Sequence, residues 1–182
     1  MMGKNIKIWE IAGFIFVGIT GTLLHFVFQW SGSSQLAAAV SPVNESVWEH
    51  LKMTYFPLII FSALEYIFIK NHTENFFRAK AAAVYIMPAV IMLIHYSVKA
   101  LYGKSLLPAD IASFYIAVGA GYYVSYRILL SAGKSSSSGM LFLYPAVIIL
   151  PAFLFAVFTF IPPELPLFYD SFHGRYGIAE KQ

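Results

Sequence analysis

Five long apolar segments decide what this chain can fold into. They are centred on 8–31, 46–69, 76–102, 108–131 and 139–161. A helix of about 20 apolar residues crosses the hydrocarbon core of a bilayer. Open strands cannot cross it, because lipid offers no partner for backbone N–H and C=O groups. We therefore predict an all-α polytopic integral membrane protein, a single domain in which five transmembrane helices form a bundle.

The composition agrees with a chain surrounded by membrane lipids. It is 59% hydrophobic and only 12% charged, whereas soluble domains carry roughly 25% charged residues. The net charge of +3 does not indicate nucleic acid, because the Lys and Arg residues are scattered rather than clustered on one face. Cysteine is absent, which excludes disulfides, thiolate nucleophiles and cysteine-based metal sites.

The distribution of basic residues predicts the orientation of the bundle. Seven Lys and Arg residues fall on the side of the N-terminus and five on the other side. Because cytoplasmic loops carry the excess of positive charge, we predict the N-terminus inside and the C-terminus outside. The segment 162–182 is too polar and too rich in proline for another span. It is predicted to be an extramembrane tail packed on or near the outer face.

One short polar stretch, "SPVNESVWEHLK" at 41–52, stands out between two apolar spans. Ser41 and Pro42 suit a helix start, an N-cap followed by proline in the first turn. Glu45 and Glu49 are four residues apart and would share one face of the helix. Capping does not account for the remaining polar side chains, which are Glu49, His50 and Lys52.

Four of the five histidines fall on the predicted outer side, and the two within spans lie at similar depth. His25 lies about 7 to 8 Å below the end of its span at Trp30, and His95 about 10 Å below Tyr102, at 1.5 Å per residue. The other two are His50 and His173, and only His72 is on the opposite side.

Ionisable groups inside membrane spans are costly and tend to mark functional sites. We therefore expect a site for zinc or another divalent metal, since Zn²⁺ binds His and Asp/Glu side chains. The expected function is a metal-dependent membrane enzyme of hydrolase type. Glu49 or Glu45 would act as a ligand or as general base on a metal-activated water, and Lys52 would attract an anionic headgroup. The predicted metal ligands are His25, His50, His95 and Glu49.

Other functions remain open at this point. The same polar cluster could bind an ion or small solute in a transport component, which with five spans would need a homodimer or a partner membrane subunit. Haem held between His25 and His95 is a further alternative, and an assembly or structural role is another. Glu10 and Glu65, near the opposite helix ends, are expected to be structural and to pair with Lys7, Lys70 or Arg127.

Three stretches carry a resemblance to a known family: "GTLLHFVFQWSG", "SPVNESVWEHLKMTYFP" and "PPELPLFYDSFHGRYGI". Over most of its length the chain resembles an uncharacterised family of small bacterial integral membrane proteins with a "PVNESVWEH" signature. The ending departs from the family's form at "SFHGRYGI". The resemblance implies the bacterial inner membrane as location, and it carries no activity, substrate or catalytic residue.

Overall fold

The computed structural model describes residues 2–132 and 138–178, and the described chain is almost entirely helical. A one-turn 3₁₀ helix, Lys70–His72, follows α3. The tail adds a small antiparallel hairpin of β1 (Tyr169–Asp170) and β2 (Arg175–Tyr176). The α-helices are α1 (Met2–Trp30), α2 (Gln35–Val40), α3 (Val47–Ile69), α4 (Phe76–Tyr102), α5 (Leu107–Leu129) and α6 (Ser138–Phe160).

Four of the described helices are long and apolar enough to cross a membrane. They are Lys4–Trp30, Val47–His72, Phe76–Tyr102 and Leu143–Phe160. These match four of the five predicted segments and are compatible with a multi-pass membrane protein. The remaining long helix, α5, has 23 residues, but its tyrosines, glycines and serines make it less apolar. That α5 also crosses the membrane stays a prediction.

Helix α3 lies at the centre of the packing. Half of its most apolar stretch is buried, against 28% for α1 and α4 and 11% for α6. It contacts α1, α4 and α6, while α5 packs on α1 and α4. Side chains such as Val17, Leu58, Met87 and Val118 form the shared core. The outward faces are apolar as well, as the 58% exposed Ile19 illustrates, which suits a lipid environment.

Proline inside a helix removes the donor for the carbonyl four residues earlier, and a neighbouring helix compensates for one such loss. Pro151 in α6 leaves the carbonyl of Val147 without its donor. The hydroxyl of Tyr85 on α4 donates to that oxygen at 2.9 Å. This is how a kinked helix satisfies its backbone in a medium without water.

A second proline, Pro57 in α3, coincides with the closest approach of two helices. It leaves the carbonyl of Met53 without its intrahelical donor. Gly21 of α1 packs against this oxygen, and a Cβ atom added to Gly21 would overlap it. Glycine is required here because α1 rests directly on the backbone of α3.

We predict that Gly21→Ala destabilises the protein by roughly 1 to 3 kcal/mol, the usual cost of overpacking a close contact. The measurement is the free energy of unfolding of the detergent-solubilised protein. Gly18→Ala is the matched control, because it lies on the same helix and an added Cβ would be 3.4 Å from Tyr115, an ordinary contact. Equal stability of the two variants would contradict the proposed close approach.

The start of α3 differs from the prediction. Ser41 and Pro42 do not begin this helix, because the chain forms the short helix α2 first, and Ser41 is its C-cap. The N-cap of α3 is Ser46, whose hydroxyl accepts a hydrogen bond from the backbone N–H of Glu49. Glu45 therefore lies outside the helix, and the expectation that Glu45 and Glu49 share a helical face is wrong.

Candidate functional site

The turn between α2 and α3 is held in place by Asn44. Its side-chain oxygen accepts from the N–H of Ser46 at 2.8 Å, and its amide donates to the carbonyl of Gly177 in the tail at 2.9 Å. Asn44 is itself buried. The turn is thus fixed to the tail, and it directs the side chain of Glu45 toward His25 of α1 and His50 of α3.

His25, Glu45 and His50 converge at this end of the bundle. Nε2 of His25 lies 3.6 Å from Oε1 of Glu45, and Nε2 of His50 lies 3.4 Å from Oε2. The two imidazole rings stack with their centroids 5.2 Å apart. One ligand atom from each of the three residues lies within 4.8 Å of the others, so a single cation could contact all three.

The hydrogen bond of His50 defines which ring nitrogen faces Glu45. Nδ1 lies 2.8 Å from the carbonyl oxygen of Ser46, which can only accept, so Nδ1 must carry a proton. Nε2 then has two possible states: it carries a second proton and pairs with Glu45 as part of an imidazolium, or it presents a lone pair and a cation lies between it and the carboxylate. A backbone carbonyl that accepts from the second ring nitrogen is the usual support of a metal-bound histidine.

Glu45 is ionised at neutral pH in this arrangement. Its hydrogen bond with His50 lowers the pKa of the carboxyl group by more than burial raises it, so the pKa lies below its ordinary value. An ionised carboxylate is the form that binds a metal.

Two of the three residues, His25 and Glu45, border a polar cleft of ≈ 140 Å³ between α1, the turn before α3 and the tail. His25 and Glu45 line it from the bundle, and His173 and Arg175 line it from the tail. Nε of Arg175 is buried and has no hydrogen-bond partner among the described residues. The cleft therefore combines the possible ligands with a cationic side chain that is free to bind an anion.

His173 is oriented by the buried carboxylate of Asp170. Nδ1 of His173 lies 2.7 Å from Oδ2 of Asp170, with the imidazole 55% exposed and the carboxylate 0% exposed. The same Oδ2 accepts from the backbone N–H of Glu45 at 3.2 Å. Burial raises the pKa of Asp170, but the hydrogen bonds that the carboxylate accepts lower the pKa by a larger amount, so it lies below its ordinary value.

Glu49 and Lys52 lie in a separate, fully buried network. Nζ of Lys52 is 2.6 Å from Oε2 of Glu49 and 2.5 Å from the hydroxyl of Thr159 on α6. It also donates to the carbonyl oxygens of Ala38 and Ser41, at 2.8 and 3.2 Å. The hydroxyl of Thr159 donates to Oε1 of Glu49 at 2.9 Å. The network joins α2, α3 and α6.

His95 is paired with another acid. Its Nδ1 lies 2.8 Å from Oδ1 of Asp110, which stands in the first turn of α5. Asp110 is within range of an electrostatic interaction with His50. His95 and Asp110 therefore flank the site, and the convergent group of possible ligands in the described chain contains neither.

These placements give a different group of possible ligands from the one expected. The structure brings His25 and His50 together with Glu45, which was expected to act as a ligand or as a general base. It places His95 and Glu49 with other partners, and it buries Lys52 where no headgroup could reach it. Asp170 and Arg175 were not among the expected site residues, although they belong to the polar run "YDSFHGRYGI", whose composition suits a loop folded over the mouth of the bundle.

The protein is a helical bundle with four helices long and apolar enough to cross a membrane and with a polar cleft at one end. The chain belongs to a family of unknown function, DUF6512, whose profile matches residues 2–178. The resemblance to an uncharacterised family is thereby confirmed. Neither the curated proteins nor the solved structures contain a match to the chain.

Proposed function

We propose that this protein is a metal-dependent membrane enzyme of hydrolase type, with the ion held by His25, Glu45 and His50. The observation that carries the proposal is the convergence of one ligand atom from each of these residues within 4.8 Å. They come from α1, the turn before α3 and α3 itself, so the site depends on the folded bundle.

The distances suit a small divalent ion such as zinc. Tetrahedral ligands at about 2.0 to 2.1 Å from Zn²⁺ lie about 3.3 to 3.4 Å from one another. Oε1 of Glu45 is 3.6 Å from Nε2 of His25 and Oε2 is 3.4 Å from Nε2 of His50. One ligand atom from each residue lies within 4.8 Å of the others, so the three side chains would draw closer together around a shared ion. Two histidines and a glutamate with an open fourth position form a ligand set used by catalytic zinc sites.

The cleft supplies the other groups that hydrolysis requires. A bound metal ion would make a water molecule acidic enough to attack near neutral pH. His173, held by Asp170 through Nδ1, is placed to move a proton at its other nitrogen, the arrangement of an oriented general base. Arg175 takes the role first expected of Lys52, attraction of an anionic group on the substrate.

The proposal also includes the number of spans, the orientation of the chain and the membrane in which it resides. We propose that α5 is a fifth span, that the N-terminus lies inside and the C-terminus outside, and that the protein resides in the bacterial inner membrane. The cleft would then open at the outer leaflet, and membrane lipids with anionic headgroups would be the first substrates to assay. A homodimer or a partner membrane subunit is compatible with this arrangement.

The proposal predicts the metal content of the protein. Detergent-purified protein is expected to contain about one divalent ion per chain by elemental mass spectrometry, and His25→Ala, Glu45→Ala and His50→Ala are each expected to lose most of it. His72→Ala is the matched control, because His72 lies in the 3₁₀ turn at the opposite end of α3. Folded wild-type protein that binds no divalent metal, even after incubation with zinc, would refute the proposal.

A further inference from the structure

A second polar cluster lies at the opposite end of the bundle, where no function has been assigned above. Glu10 of α1, Glu65 of α3 and Lys80 of α4 are 4%, 0% and 1% exposed. Nζ of Lys80 lies 2.6 Å from Oε1 of Glu10 and 2.6 Å from Oε2 of Glu65. Lys80 is thus the partner of both acids, in place of the expected Lys7, Lys70 or Arg127.

The α5 helix completes the cluster through Ser125, which is also fully buried. Its hydroxyl donates to Oε1 of Glu10 at 2.9 Å and accepts from Nζ of Lys80 at 3.1 Å. Four helices therefore contribute to one polar centre surrounded by apolar side chains.

The charges of this centre do not balance if all groups are ionised. Two carboxylates face one ammonium group, and no second Lys or Arg within residues 2–132 and 138–178 forms an ion pair with either acid. An uncompensated charge in a buried, low-dielectric site is strongly unfavourable. Either a proton or a bound cation must supply the missing positive charge.

The hydrogen bonding shows where a proton would go. The carboxyl groups of Glu10 and Glu65 share one partner, since Nζ of Lys80 lies 2.6 Å from an oxygen of each. Oε2 of Glu10 and Oε1 of Glu65 are buried and have no donor in the described structure. Two ionised carboxylates can only accept, so a proton on one of the two carboxyl groups would supply the missing donor as well as the missing charge.

The cluster is reached from a cavity of ≈ 220 Å³ between α1 and α5. Lys7, Glu10, Tyr122 and Tyr126 are among its lining residues. The hydroxyl of Tyr122 is buried and has no partner in the described part of the chain. Since a water molecule occupies about 30 Å³ in the liquid, the cavity has room for several waters, and Glu10 is the member of the carboxyl pair that lines it.

We infer that Glu10 and Glu65 share one proton and form, with Lys80, a proton-binding site that exchanges with water through the cavity lined by Lys7 and Tyr122. The ligand is the proton itself. The charged and titratable groups that face the pair are Lys80 on α4, Tyr122 on α5, and Lys7 on α1 at the cavity mouth. The inference is independent of the metal site at the other end.

Infrared spectroscopy of the detergent-purified protein tests this inference, since a protonated carboxyl group absorbs separately from a carboxylate. Wild-type protein at pH 7 is expected to show a protonated carboxyl band that is lost in Glu10→Gln and equally lost in Glu65→Gln. Either substitution leaves one carboxylate paired with Lys80, so both single variants are expected to remain folded. Glu74→Gln is the control, because Glu74 is exposed on the loop before α4 and its substitution should keep the band.

Two further measurements distinguish a bound proton from a bound metal cation, and they test whether the carboxyl pair exchanges protons with water. A band that is absent in sodium buffer and appears only in choline buffer would overturn the inference, because sodium would then occupy the pair. A band that survives in both single variants would also overturn it. The band is expected to shift after exchange into D₂O, and an unshifted band would refute access through the cavity.

Discussion

Lys52→Met is expected to lower the free energy of unfolding by about 3 to 5 kcal/mol, the usual cost of leaving one member of a buried ion pair without its partner. Glu49 is 2% exposed and Lys52 0%. Methionine fills a similar volume but leaves the carboxylate of Glu49 without the ammonium group. It also leaves the carbonyl oxygens of Ala38 and Ser41 without a donor, so the α2 segment should loosen from α3 and α6.

The measurement is unfolding of the detergent-solubilised protein by heat or by a denaturing detergent. The matched control is the double variant Lys52→Met/Glu49→Gln, which removes both charges and should recover much of the loss. The result also decides between two roles for Lys52. If the single variant were as stable as wild type and only lost activity, Lys52 would act on a substrate, and the structural role argued here would be wrong.

Asp170→Asn is the second substitution with a large expected effect, about 2 to 3 kcal/mol, the range for hydrogen bonds that involve a charged group. The buried carboxylate accepts from the backbone N–H groups of Glu45, Phe172 and His173 and from the His173 ring. In Asp170→Asn an amide nitrogen replaces one carboxylate oxygen, and this nitrogen would face N–H groups that need an acceptor. We expect the tail to detach from the cleft and to become sensitive to limited proteolysis.

Glu164→Gln is the control for this experiment, because Glu164 is an exposed acid in the same tail. Its proteolysis pattern should match that of wild type. A variant Asp170→Asn with the proteolysis rate and unfolding temperature of wild type would show that the carboxylate does not hold the tail.

The same carboxylate predicts a pH dependence. Because the pKa of Asp170 is lower in the folded protein than its ordinary value of 3.8, its contribution to stability is fully present above that value. The contribution is lost as the pH falls through the folded pKa. Wild-type protein should therefore release its tail in acid below about pH 3.8, and Asp170→Asn should show a weaker dependence in this range.

Aromatic packing supports the tail beside these polar contacts. Trp48, in the first turn of α3, packs against Phe155 and Phe158 of α6 and against Phe168 of the tail. Its backbone N–H donates to the carbonyl of Leu167 at 3.0 Å. Trp48 therefore links the tail to α3 and α6.

How far the site could be predicted is clearest in the stretch 41–52. The concentration of polar residues was visible, and His25 and His50 were correctly placed at the same end of the bundle. The direction of each carboxylate was not predictable, because Glu45 and Glu49 are four residues apart on a helix that begins only at Val47. One acid points to the histidines and the other to Lys52.

For the histidines, depth in the membrane could be predicted from the sequence, but the partner of each side chain could not. Depth in the membrane follows from counting residues along a helix, and so His95 was expected beside His25. Rotation about the helix axis is set by how neighbouring helices pack, and this packing pairs His95 with Asp110. Likewise the residue count put Glu10 and Glu65 at one end, but only the packing of α4 made Lys80 their common partner.

Long apolar helices with polar side chains near their ends could be predicted from the sequence, and four of these helices are long and apolar enough to cross a membrane. Those properties are local, since hydropathy and helix length depend on neighbouring residues alone. The folded bundle was needed to show that His25, Glu45 and His50 meet, that Lys52 is buried, and that Asp170 joins the tail to the turn before α3. Contacts between helices depend on their order, rotation and close approach at residues such as Gly21, and these arise from packing among distant parts of the chain.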